Sequence, residues 1–287
     1  MTKSTTPYLY ILIISLFSPA AIADTFTSDG VEIFYNVQGE GEGDPVVLIH
    51  GFSSSAQGNF GAPGITAALA TSFKVISIDN RGHGSSGKPH DRSAYGIQMV
   101  ADVINLLDHL GIEKANVVGY SMGGLITHKL IMKYPERVIK AVSGGAGWEG
   151  EDALPLDELA ESLESGKGLG PLLVALAPVG QPTPTVEQIE AQNQIFLSVN
   201  DPLALAAVVR GFNQLTNISE AELRANEVPL LYVVGDLDPL KIDVGRAIGV
   251  ISNAKVVTVP NTDHLTVINH PMLRDSIQAF LTEESRY

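Results

Sequence analysis

The sequence predicts an α/β fold, a mostly parallel sheet covered on both faces by helices and interrupted by a helical insertion. Three observations predict it. Short apolar runs rich in β-branched residues, at 45–50, 73–79, 116–120, 138–143, 229–235 and 254–259, read as strands, the most continuous of them as strands buried on both faces. Segments with apolar residues at helical spacing lie between the early runs, and that alternation argues for parallel strands joined by helical crossovers. From 148 to 226 the alternation stops, and helical patterns follow one another at 155–163, 185–197, 202–214 and 219–224 before the strand pattern resumes.

The first residues stand apart from this pattern. Lys3 is the only charged side chain before Asp24, an apolar run occupies 8–17, and Ala21-Ile22-Ala23 has a small-x-small cleavage pattern. The run is short for a membrane span. Residues 1–23 therefore read as a secretory signal peptide, with export to the periplasm or the medium and no stable membrane span once it is removed. The remaining chain divides into a core over 24–147 and 227–287 and a helical cap over 148–226. In order, the core opens on a hairpin over 26–35 around Asp29-Gly30. After the strand at 45–50 come a Gly- and Ser-rich loop and a short helix at 65–70. After the strand at 73–79 come a loop with Gly82, Gly84 and Gly87 and a helix at 95–110. A helix at 125–132 ends before Pro135, and a last helix covers 271–281.

Composition narrows the chemistry. The 287 residues, 45% apolar, suit one large domain. With no cysteine, thiolate catalysis, Cys-based zinc sites and iron–sulfur clusters are excluded. A net charge of −14 makes nucleic acid a poor partner. The sequence shows no metal-ligating cluster, and no cofactor is expected.

The central motif is Gly119-Tyr120-Ser121-Met122-Gly123-Gly124. Gly-x-Ser-x-Gly is short and common by chance, but here a buried strand ends on it and an apolar helix follows. That is the strand–turn–helix setting in which a serine is held on a sharp turn with its hydroxyl exposed. Ser121 is the expected nucleophile. A serine attacking a carbonyl needs donors for the oxyanion. The Met122 N–H is one candidate, and the Phe52 N–H, in His50-Gly51-Phe52 after the first core strand, is the other. His50 itself is expected to brace that loop.

Seven histidines compete for the base. His264, on a loop just past the last strand, is the best placed. His109 and His128 lie in helical patterns, His90 in a polar loop and His270 at a helix start. For the acid, Gly235-Asp236-Leu237-Asp238 follows a strand. Asp238 reaches further toward His264, while Asp236 suits a turn-stabilising role. Asp79, with Arg81, is expected to stabilise the loop at 79–86. The order Ser121, Asp238, His264 is the order of the triad on this kind of sheet.

These pieces, together with the glycine-rich segment from Asp79 to Ser86 and Asp263-His264, resemble the α/β-hydrolase superfamily over roughly residues 26–284. The resemblance implies an eight-stranded, mostly parallel sheet with a helical cap after the sixth strand. A serine at 121 separates the chain from epoxide hydrolases and haloalkane dehalogenases, which carry aspartate there. Many relatives have Gly before the catalytic His and Trp after the His-Gly loop, where this chain has Asp263 and Asn59-Phe60. The expected activity is hydrolysis of a small, modestly hydrophobic carboxylic ester through an acyl-enzyme. The alternatives are a lactonase or carbon–carbon bond hydrolase with the same triad, an aminopeptidase or acyltransferase, and a non-catalytic binding protein on the same fold. Leu173, Val174, Ile195, Phe196, Leu203, Leu205 and Phe212 are the cap residues expected to pack onto the core or to line a pocket.

Overall fold

The computed structural model describes residues 22–148 and 154–283. Of the signal peptide expected over 1–23, residues 1–21 lie outside the described residues; Ile22 and Ala23 open the first strand.

Eight strands form one sheet: β1 (Ile22–Ser28), β2 (Val31–Gln38), β3 (Gly43–Ile49), β4 (Phe73–Ile78), β5 (Ala115–Tyr120), β6 (Val138–Gly144), β7 (Leu230–Gly235) and β8 (Ala254–Val259), in the order β1-β2-β4-β3-β5-β6-β7-β8. β1, β2 and β4 pair antiparallel, and all other neighbours pair parallel. The opening hairpin turns at Asp29 and Gly30, both with positive φ (46° and 79°), the backbone a two-residue hairpin prefers.

The helices are α1 (Ile65–Leu69), α2 (Ile97–His109), α3 (Met122–Lys133), α4 (Leu156–Glu164), α5 (Gly170–Ala175), α6 (Val186–Val199), α7 (Pro202–Arg210), α8 (Asn213–Thr216), α9 (Glu220–Arg224), α10 (Lys241–Ile248) and α11 (Pro271–Thr282). Strand β3 shows why helices cover both faces. Its last four side chains alternate, and each is fully buried: Val47 and Ile49 join the cluster that includes α2 and α3, and Val46 and Leu48 join the cluster that includes α1 and α11.

Among the described residues six helices, α4 to α9, stand between β6 and β7. The helix expected at 202–214 is divided at Gly211 into α7 and α8. Two helices were not expected. α5 opens on Gly170-Pro171, which reads as a break, and α10 carries Lys241, Asp243, Gly245 and Arg246 within eight residues, which blurs its periodicity. Among the described residues no single helix is long and apolar enough to cross a membrane.

The strand order places the site. Chain direction across the sheet reverses between β3, which continues to β4 on one side, and β5, which continues to β6 on the other. The crevice beyond the carboxyl ends of two such strands is where open α/β sheets bind ligands. Ser121 directly follows β5, and Gly51 and Phe52 follow β3.

Candidate active site

Ser121 has φ 53° and ψ −117°, a conformation that costs a non-glycine residue on the order of 1–3 kcal/mol. Its flanks make the turn possible. A Cβ on Gly119 would lie 2.0 Å from the Gly123 carbonyl oxygen, and one on Gly123 would lie 1.9 Å from the Ile49 carbonyl oxygen. β3, β5 and α3 thus meet backbone against backbone beneath the serine. Gly123→Ala is accordingly expected to yield no soluble folded protein. Gly245→Ala, a helical position with nothing within 4 Å of the added Cβ, is expected to keep or slightly raise Tm. Soluble yield and thermal melts of the two variants check this.

α3 starts at Met122, three residues earlier than the apolar pattern suggested. Met122 is therefore the first helical residue, and its N–H has no intrahelical acceptor. A Cβ on Gly51 would lie 3.2 Å from Ser121 Cβ, so the loop carrying Phe52 runs beside Ser121. Two side chains hold that loop. The Gly51 N–H donates to Asn59 Oδ1 at 2.7 Å, and His50 Nδ1 donates to the Gly51 carbonyl at 2.7 Å. His50 Nε2 accepts from the Asn80 N–H at 2.9 Å, so both ring nitrogens are committed to bracing. Burial pushes the His50 pKa down, which keeps the ring neutral for that role.

His264, buried beyond β8, has Nε2 2.9 Å from Ser121 Oγ and Nδ1 2.9 Å from Asp238 Oδ2. A carboxylate only accepts, so Nδ1 carries the proton and Nε2 accepts from the serine hydroxyl. Asp238 Oδ1 accepts from the Leu240 N–H at 2.9 Å. The turn-forming role expected of Asp236 thus belongs to Asp238. Asp236 instead accepts from the Thr262 N–H at 3.2 Å and ties the β7 loop to the β8 loop. Asp263 accepts from the Leu265 and Thr266 N–H groups, both at 2.8 Å, which tightens the turn around His264. The Tyr120 hydroxyl donates to the His264 carbonyl, and its ring lies 5.6 Å from the imidazole. Sequence reasoning missed Tyr120 and Asn59. Tyr120 filled a variable place in the motif, and Asn59 lay in a loop without periodicity.

Asp79 does hold its loop, accepting from the Ala56 and Ser85 N–H groups at 2.8 Å each. Arg81 is not its partner. Arg81 turns inward and makes two bonds to Asp102 on α2, at 2.7 and 2.6 Å, with both side chains buried.

Two more histidines are fully enclosed. His83 donates from Nδ1 to the Arg81 carbonyl, and burial pushes its pKa down to about 3. His128 packs on Tyr232, and burial lowers it to about 4. Unfolding returns each to its ordinary value of 6.5. Between the folded value and 6.5 the unfolded chain therefore binds protons that the folded chain refuses, so stability rises with pH there. It is complete above about pH 6.5 and is lost as pH falls toward 4 and below. At pH 4.5 the loss is on the order of 2–3 kcal/mol per histidine. Tm is expected to fall between pH 7.5 and 4.5, and the slope is expected to be shallower in His128→Asn.

Above Ser121 lies a cavity of about 310 Å³. Ser121, Met122 and His264 line it from the core, with Phe52, Leu125 and Phe212 also in the lining and the two phenyl rings edge to face at 5.8 Å. Of the cap residues expected to pack or to line a pocket, Leu173 and Phe212 line this one. Phe196 and Leu205 are packed in the core cluster. Val174 and Ile195 do neither, being 45% and 71% exposed, and Leu203, 45% exposed, lines a separate pocket with His90 and Arg210. Among the described residues no group of three His, Asp or Glu side chains is placed to hold a metal ion.

An eight-stranded sheet in this order, with a serine elbow after its fifth strand, defines an α/β hydrolase fold. The family model described as alpha/beta hydrolase fold matches residues 44–166. The 2-hydroxymuconate semialdehyde hydrolase of Pseudomonas putida is 36% identical over 39% of this chain and 39% of its own length. The pimeloyl-[acyl-carrier protein] methyl ester esterase of Pectobacterium carotovorum is 28% identical over 83% of this chain and 94% of its own. The crystal structure of the enol-lactonase from Burkholderia xenovorans LB400 superposes with a TM-score of 0.75, at 23% identity over 91% of this chain and 100% of its own. The alignment covers less than half of each of the first four curated relatives, from 27% to 46% of their lengths.

Proposed function

We propose that this chain is a serine hydrolase cleaving a carboxylic ester. The observation that carries the reading is the continuous line Ser121 Oγ, His264 Nε2, His264 Nδ1, Asp238 Oδ2, with 2.9 Å at each of the two hydrogen bonds between side chains. In this reading Ser121 Oγ attacks the ester carbonyl carbon as His264 Nε2 takes its proton. The Phe52 and Met122 N–H groups hold the oxyanion. The ester C–O bond breaks, the alcohol leaves with the proton from His264, and a water activated by the same imidazole releases the acid. Asp238 keeps the imidazole in the tautomer that can accept. A lactone would be opened by the same steps with the alcohol still attached to the acyl group.

The reaction belongs outside the cytoplasm. Lys3, the apolar run at 8–17 and Ala21-Ile22-Ala23 support export, and N-terminal sequencing of the exported protein should begin at Asp24.

Fluorophosphonate labelling tests the nucleophile. Stoichiometric labelling is expected, mapping to the peptide that contains Ser121, together with turnover of p-nitrophenyl esters. Comparing these esters with lactones separates the two uses of the triad. A folded protein that takes no label and turns over no ester would overturn the proposal.

A further inference from the structure

The roof of the cavity over Ser121 is a leucine face. Residues 169–176 read Leu-Gly-Pro-Leu-Leu-Val-Ala-Leu. Leu169, Leu172, Leu173 and Leu176 thus recur at i, i+3, i+4 and i+7, the spacing that aligns side chains along one side of a helix. All four line the cavity, whereas Val174, off that face, is 45% exposed. α4 adds Leu156 and Leu159, one turn apart. None of the described residues lining the cavity is Lys or Arg. Asp243 is the one acid among the described residues that line it, and it is tied to Arg246 at 2.7 Å.

We propose that the acyl half of the substrate is an uncharged, flexible aliphatic chain that fills this leucine-roofed cavity, about ten non-hydrogen atoms in all. The inference rests on Ser121 being the nucleophile below it. The size follows from volume: the cavity measures about 310 Å³, and a water-sized group occupies roughly 30 Å³. The charge follows from the lining. A carboxylate at the far end of the chain would leave water for leucine side chains with no cation to meet it, a cost that excludes it. Flexibility suits a lining made largely of branched aliphatic side chains. The covalent chemistry is the ester cleavage already written, and the cavity only selects which acyl group reaches the serine.

The test is a panel of p-nitrophenyl esters from C2 to C16, read as kcat/KM. Each added methylene is expected to raise kcat/KM about three- to fourfold until the cavity is full. The optimum should fall near C8 to C10, with a decline beyond C12. A second arm compares methyl octanoate with the monomethyl ester of the eight-carbon dicarboxylic acid, where the carboxylate should cost at least fiftyfold. A third uses Leu172→Trp, expected to lower the ratio of C8 to C4 activity at least tenfold by shortening the cavity. An optimum at C2, rates indifferent to chain length, or a preference for the carboxylate-tailed ester would overturn this assignment and leave the serine reading intact. Absence of turnover across the panel, together with absence of fluorophosphonate labelling, would overturn both.

Discussion

Ser121→Ala is expected to lower kcat on the best p-nitrophenyl ester by about 10⁴- to 10⁶-fold while leaving Tm within a degree or two. The size follows from the unit nature of the triad. On the proposed mechanism no acyl-enzyme forms without the hydroxyl, and the pocket and the proposed oxyanion donors alone leave only a residual acceleration over water. The stability expectation comes from geometry. Ser121 makes its side-chain hydrogen bond to His264, but the turn is imposed by β3, β5 and α3 packing through Gly119 and Gly123, and alanine inherits the same backbone strain. Asp238→Asn supplies the companion measurement. An amide in place of the carboxylate can present its N–H₂ to His264 Nδ1, favouring the tautomer with the proton on Nε2, where it cannot accept from Ser121. A loss near 10⁴-fold is expected. Active-site titration of both variants, with thermal melts alongside, separates lost chemistry from lost fold. Residual activity within tenfold of the parent in Ser121→Ala would remove Ser121 from the mechanism.

How much of this was legible in the sequence depends on whether each feature has a one-dimensional signature. The buried strands have one, because the end of β3, Val46 to Ile49, is covered on both faces and so reads as an unbroken apolar run. Ser121 has one, because its strain requires glycines at fixed offsets. His264 and Asp238 were found by their places after strands rather than by their neighbours. The misses are tertiary. Tyr120 matters because its hydroxyl reaches a carbonyl 144 residues away. Asp79 looked like the partner of Arg81 because it is two residues off, yet the guanidinium turns to Asp102, 21 residues on. No periodicity records that choice. It follows from burial, since Arg81 is only 1% exposed and needs a charge that is buried with it. α5 had a signal that went unread, its leucines at helical spacing, masked by the Gly170-Pro171 opening.

That buried pair carries the second large effect. In Asp102→Ala the Arg81 guanidinium keeps its bonds to the Ala94 and Ser28 carbonyls, at 2.6 and 3.3 Å, but loses its only counter-charge among the bonds it makes there. Removing one partner of a buried ion pair costs about 3–5 kcal/mol, because the other is left charged and out of water. For a domain of this size that corresponds to a fall in Tm of roughly 10 °C. Asp102→Asn keeps an acceptor in place and should lose less. The informative variant is the double replacement Arg81→Met with Asp102→Leu. If the damage in Asp102→Ala comes from an orphaned charge, two apolar side chains of similar bulk should recover most of the lost Tm. If the pair itself stabilises the loop, the double variant should melt as low as the single one. Activity adds a second axis, because the loop that Arg81 anchors also carries Asn80, whose N–H holds His50 and through it the Gly51 turn beside Ser121. A double variant that regains Tm but not kcat would therefore place the ion pair's contribution in holding the Gly51–Phe52 loop beside Ser121 rather than in holding the fold.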